Sequence, residues 1–225
     1  MADRFLDNDI VSQIKEAFAE MKKPVEMLLF SRKEDCVTCS DMRQLAQEVA
    51  DISDKLSLSF YDVEDDAALA AKFGVDKVPV LVLAAKDGEE ITDYGVRYVG
   101  LPAGHEFGSF ISDLMMVSQR DSGLSPQSRQ FLGTLKTPLK FMVFFTPTCP
   151  HCPRAVSLAH KFALESSLVQ AEAISAMEFF DLSNEYEVSG VPHTAVLDES
   201  GKLLATIVGG VPEQYMVDEL KAKIN

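Results

Sequence analysis

A two-copy α/β fold is what this 225-residue sequence predicts, and three observations carry that prediction. Two Cys-x-x-Cys pairs each follow a short apolar run: Val25–Phe30 leads to Cys36-Val37-Thr38-Cys39, and Phe141–Phe145 leads to Cys149-Pro150-His151-Cys152. Each first cysteine lies 43 residues before a Val-Pro, from 36 to 79 and from 149 to 192. Segments of helical and strand period then recur in one order around both motifs. A repeat of about half the chain favours two domains of ordinary size over one large one, and we place them at residues 1–118 and 119–225.

The elements follow from period and punctuation. Ile10, Val11, Ile14, Ala17, Phe18 and Met21 are spaced for a helix over 8–22, closed by Pro24. Val25–Phe30 is a strand. Met42, Leu45, Val49, Ile52 and Leu56 recur at threes and fours, which predicts a long amphipathic helix after Cys39. Leu58, Phe60 and Tyr61 read as a strand, and Asp65–Phe73 as a short helix ended by Gly74. Val78–Leu83, a turn at Lys86-Asp87-Gly88 and a strand from Tyr94 to Val99 form a hairpin. A helix with Phe107, Phe110, Ile111 and Leu114 on its buried side closes the first unit.

Gln119-Arg120-Asp121-Ser122-Gly123 is polar and turn-rich, which sets the boundary there. Ser125-Pro126 is an N-cap with proline at the first helical position, and Phe131, Leu132 and Leu135 give that helix an apolar side. The order then repeats: strand 141–145, helix from Cys149, strand 168–174, helix 181–186, strand 194–197, turn Glu199-Ser200-Gly201, strand 203–208, and helix from Pro212. Val99-Gly100-Leu101-Pro102 aligns with Gly209-Gly210-Val211-Pro212 at an offset of 110, because the second hairpin is shorter.

Composition narrows the function classes. With 47% hydrophobic and 25% charged residues the chain can bury real cores, and no apolar run approaches the roughly 20 residues that span a bilayer. Met1–Asp9 carries acidic residues where a secretory signal would have an apolar core, so the expected location is the cytoplasm. A formal net charge of −14 argues against nucleic-acid and membrane partners, whose anionic surfaces would repel it. All four cysteines fall in the two pairs, which in a reducing compartment favours redox or metal chemistry over a static disulfide framework.

A strand, a loop and a Cys-x-x-Cys at the first turn of a helix is the sequence form of a thioredoxin-like redox site. The unpaired N–H groups and positive dipole end of the helix stabilise a thiolate on the first cysteine, and the second can resolve the mixed disulfide. Pro150 and Pro153 fit a first turn, where the N–H groups they remove had no intrahelical partner. Val78-Pro79 and Val191-Pro192 should lie beside the cysteines, with cis bonds and backbone presented to an extended substrate. His151, between the second pair, is expected to favour the Cys149 thiolate and make that site the more oxidising, against Asp35 directly before Cys36. His105 and His160 read as surface or satisfied residues, and His193 as a neighbour of the second site.

The two motifs, with Tyr94–Phe107 and Phe144–Pro153, make the chain resemble the glutaredoxin-like protein disulfide oxidoreductases of thermophilic bacteria and archaea. The resemblance covers nearly the whole chain and implies two tandem thioredoxin-like domains. By it, Cys36 and Cys149 are nucleophiles, Cys39 and Cys152 resolving thiols, and Pro79 and Pro192 cis-prolines. It also implies the redox-active disulfides Cys36–Cys39 and Cys149–Cys152 with no other cofactor and no metal, and reduction, oxidation and isomerisation of disulfides in client proteins. A thioredoxin-reductase-like electron donor is an expected partner. The chain departs from many relatives in carrying Pro150-His151 where they have Pro-Tyr. Two alternatives stay open: a dedicated dithiol donor to a peroxiredoxin or other reductase partner, and a non-enzymatic module in which the cysteines hold zinc.

Overall fold

The computed structural model describes residues 4–224; residues 1–3, the start of the acidic N-terminal stretch, and residue 225 lie outside the described residues. The first half runs α1 (Asn8–Phe18), β1 (Val25–Ser31), α2 (Cys39–Ala50), β2 (Leu56–Asp62), α3 (Ala67–Lys72), β3 (Val80–Asp87), β4 (Glu90–Val99) and α4 (His105–Gln119). The second runs α5 (Pro126–Leu132), β5 (Leu139–Phe145), α6 (Cys152–Glu165), β6 (Val169–Ser175), α7 (Phe180–Glu185), β7 (His193–Asp198), β8 (Leu203–Val208) and α8 (Glu213–Ile224).

The central strands are apolar on both faces, so each must be covered twice. Along β1, Met27 and Leu29 face one core while Leu28 and Phe30 face the other; along β5, Phe141, Val143 and Phe145 alternate with Met142 and Phe144 in the same way. Buried residues of α1, α2, α4, α5, α6 and α8 cover the first face, and the short α3 and α7 cover the second. Both cysteines of the second pair belong to the six-helix face.

Each half orders its strands alike, β2-β1-β3-β4 and β6-β5-β7-β8, with the two central strands flanked by one parallel and one antiparallel neighbour. The halves do not keep separate sheets. Val96–Val99 pairs in parallel with Ala171–Ile174, giving one eight-stranded mixed sheet in which β4 is interior and β8 an edge. Length and period cannot reveal this join, because an edge strand and an interior strand of like burial read the same. Polar groups stitch it: Glu172, 2% exposed and opposite Arg97, accepts from Lys77 (3.0 Å) across the join and from Lys140 (2.8 Å).

Two helices stop earlier than their apolar spacing suggests. α1 ends at Phe18, and turns closed by Glu20 N–H to Ala17 and Met21 N–H to Phe18 bring Met21 into the core without helix. α2 ends at Ala50, where Ile52 and Ser53 donate back to Val49 and Ala50 in tight turns; Leu56 is buried as the first residue of β2, paired with Val25. Ser125 caps α5 through Ser128 N–H (3.3 Å), as its sequence position suggests.

Candidate active sites

At the first pair, β1 runs into a loop whose last residue, Asp35, turns the chain with φ +55°, a left-handed conformation that Asp tolerates better than most residues. Cys36 and Cys39 form a disulfide with Cα atoms 5.5 Å apart. Cys39 opens α2 and is buried, Cys36 is half-buried, and Val37 between them is 95% exposed. At the second pair, Cys149 and Cys152 form a disulfide of the same Cα separation, with Cys152 fully buried at the start of α6. The Cys152 N–H donates to Cys149 Sγ at 3.1 Å. That is how an unpaired helix N-terminus holds negative charge on sulfur, and among the described residues Cys39 makes no equivalent contact.

The Val78–Pro79 and Val191–Pro192 bonds are both cis. Val78 and Pro79 share a cleft of about 350 Å³ with Cys36. On the second side, the Pro192 carbonyl accepts from Gly209 N–H (2.8 Å), and Gly210 lies so close to the His151 carbonyl that a Cβ would stand 3.1 Å from it. The Pro79 carbonyl accepts from Gly100 N–H (3.0 Å), and Gly100 and Gly209 both have positive φ. These bonds pair Gly100 with Gly209, so the offset is 109 and the sequence alignment at 110 is one residue out. The repeated glycine pair at 209–210 hid which glycine carries the left-handed turn.

The histidines divide. His151 is exposed at the entry to α6 and His105 at the start of α4. His160 is fully buried, its Nδ1 2.6 Å from Asp113 Oδ2 and its Nε2 3.2 Å from the Arg97 carbonyl. His193 does not neighbour the second disulfide. Its ring stands edge-on to Phe144 at 6.0 Å, on the α7 face of the sheet, opposite the face that holds Cys149 and Cys152. Strand alternation after Pro192 turns it away, and burial pushes its imidazole below the usual range.

Each site is also touched by the opposite half, through residues that motif spacing does not single out. Over the first site hangs the β6–α7 corner. Glu178 accepts from Thr38 Oγ1, between the two cysteines, and from Leu101 N–H at 2.8 Å. Met177 and Phe179 line the same cleft as Cys36. Against the second site rests the start of α4: His105 N–H donates to the Pro147 carbonyl at 3.0 Å, two residues before Cys149. Gly104, with φ +61°, leaves no room for a Cβ beside that carbonyl. Gly104 and His105 fall inside the Tyr94–Phe107 stretch that carries the resemblance; Glu178, 140 residues from Thr38, gave no signal.

The cysteines lie in two separate disulfides, and no cluster of three or more metal-type side chains occurs among the described residues. No helix among the described residues is long and apolar enough to cross a membrane.

A thioredoxin-domain family model matches residues 139–222. A protein disulfide oxidoreductase from Aeropyrum pernix K1 superposes with a TM-score of 0.86 at 31% identity, covering 98% of this chain and 95% of that one. The N-terminal domain of alkylhydroperoxide reductase AhpF from Enterococcus faecalis shares the fold with a TM-score of 0.85 at 23% identity, covering 96% of this chain and all of that one. The F component of the alkyl hydroperoxide reductase of Escherichia coli is 22% identical over 187 residues, 83% of this chain and 33% of that protein. The chain thus spans about a third of the length of the curated relatives it matches. With 31% identity sustained over almost the full length of both chains, the protein belongs to the protein disulfide oxidoreductase family built from tandem thioredoxin-like units.

Proposed function

We propose that the chain is a thiol–disulfide oxidoreductase acting on protein disulfides through two sites, residues 1–118 carrying one and residues 119–225 the other. The observation that carries this reading is the duplicated pairing of a disulfide at a helix start with a cis Val-Pro immediately before an adjacent strand. In the reducing direction, the thiolate of Cys36 or Cys149 attacks one sulfur of a substrate disulfide. A Cys–substrate S–S bond forms, the substrate S–S bond breaks, and the leaving thiolate takes a proton from solvent. Cys39 or Cys152 then attacks the nucleophile's sulfur, expels the second substrate thiol and closes the intramolecular disulfide. Two electrons have passed to the substrate, and a dithiol donor restores the site.

Val78-Pro79 and Val191-Pro192 would align the substrate backbone, with Pro150 and His151 tuning the Cys149 thiolate, and the two disulfides would be the only redox groups required. Clients would be disulfide-bearing proteins in the cytoplasm, recharged by a thioredoxin-reductase-like donor. The likeness to the F component of alkyl hydroperoxide reductases supports a second reading, transfer of electrons to a peroxiredoxin. Insulin reduction with a dithiol donor tests the first. Cys36→Ser and Cys149→Ser should each slow turnover and the double variant abolish it. Unchanged rates in both single variants would contradict the assignment of nucleophiles, and a chain active only with a peroxiredoxin would favour the second reading.

A further inference from the structure

Glu178 is a half-buried carboxylate of the second half whose two bonds both reach into the first. One oxygen accepts from Thr38 Oγ1, in the middle of the Cys36 motif, and the other from Leu101 N–H, just after β4. Gly100 makes the approach feasible, since a Cβ there would stand 2.7 Å from Glu178 Oε1 and 2.8 Å from Ser175 Cβ. The corner is a consequence of the joined sheet. β6 lies beside β4, so the residues after β6 arrive over the end of β4 and reach the first site. The matching corner after β2 stands at the outer edge of the sheet, where Asp65 bonds Lys33 within its own half. Among the described residues no strand follows β8 to bring such a corner over the second site.

We propose that Glu178 is the residue through which the second half sets the reactivity of the first site: held by Thr38 and Leu101, it sets a negative charge beside Cys36. The proposal rests on the disulfide-exchange reading and deepens it. The other charges around Cys36 are Asp35, Asp62 and Asp66, and the cations Arg32, Lys33 and Arg43. The cations are engaged: Arg32 with Glu64 (3.7 Å), Lys33 with Asp65 (2.5 Å), and Arg43 over the Phe60 ring (3.8 Å). A carboxylate held beside a sulfur disfavours its thiolate. Cys36 is therefore a weaker acid, and its disulfide a weaker oxidant, than the helix start alone would make it.

The test uses the full chain with Cys149→Ser and Cys152→Ser, reduced and titrated by its ultraviolet thiolate absorbance, with and without Glu178→Gln and Glu178→Ala. Gln keeps an acceptor for Thr38 and removes the charge; Ala removes both. Both variants should move the Cys36 midpoint down by about one unit, about a tenfold gain in thiolate below the midpoint. A midpoint unmoved in both overturns the proposal, and so does a shift confined to the Ala variant, because contact rather than charge would then be at work. A shifted midpoint in a chain whose parent reduces no insulin would refute the oxidoreductase reading and leave the coupling standing; an unshifted midpoint in an active chain does the reverse.

Discussion

The two sites share one local plan and differ in what the rest of the molecule adds. Both have a strand, a disulfide at a helix start and a cis Val-Pro. The first is interior to the joined sheet and is capped by Glu178, Met177 and Phe179 from the other half. The second stands beside the free edge of β8. Val99, last in β4, is fully buried because β6 covers it, whereas Val208, last in β8, is 63% exposed. From the opposite half, the His105 N–H meets the Pro147 carbonyl beside the second site. Duplication alone therefore does not produce equivalent sites. When two units join head to tail through one sheet, one site acquires a neighbour and the other an open flank.

Substituting the contacts one by one should separate the sites. The largest effect is expected from Gly104→Ala, which drives a Cβ into the Pro147 backbone at a left-handed position. Overpacking and backbone strain together should cost about 4 kcal/mol. Denaturant melts would register the loss, and exchange through Cys149 should suffer more than exchange through Cys36. Equal loss at both sites would break the comparison.

Next comes Glu106, in the first turn of the same helix. It is fully buried, and burial pushes its carboxyl up to about 7 against the opposing pull of the neighbouring Ser109 hydroxyl. Below pH of about 4.5 both folded and unfolded chains hold this proton and nothing is lost. As pH rises toward about 7 the unfolded chain ionises first, so stability falls, and above that the full cost stands. Glu106→Gln should therefore stabilise the fold by up to about 3 kcal/mol near pH 8 and by almost nothing near pH 4. A gain that is the same at both pH values would show that the carboxyl is not the cause.

The smallest effect is expected from Gly100→Ala. Its Cβ would meet the end of the Glu178 side chain, which can swing, and the Ser175 Cβ, which can give a little. A cost of about 2 kcal/mol, most of it from φ +85°, should come with a change at Cys36 alone. Parallel changes at Cys149 would count against a local role for this corner.

Much of this was legible in the chain itself. Strand alternation, the repeated Cys-x-x-Cys and the constant distance to Val-Pro are local signals; both Val-Pro bonds are cis, and in the first half Val78 and Pro79 share a cleft with Cys36. Leu56 misled because an apolar residue at helical spacing can equally begin a strand, and His193 misled because adjacency in sequence to Pro192 says nothing about which sheet face a side chain takes. The join of β4 to β6 and the reach of Glu178 to Thr38 are long-range outcomes of packing, invisible to any window of period or spacing.

Whether the two disulfides behave as distinct redox sites can be measured directly. In the unmodified chain, each can be followed through graded dithiol–disulfide buffers by alkylating the free thiols and weighing the two cysteine peptides separately. Cys149–Cys152, with a backbone N–H on its nucleophile and, among the described residues, no carboxylate hydrogen-bonded to its motif, should be reduced first, at a midpoint more oxidising than that of Cys36–Cys39 by about 30 mV or more, or about 1.4 kcal/mol. Coincident midpoints, or the reverse order, would contradict it.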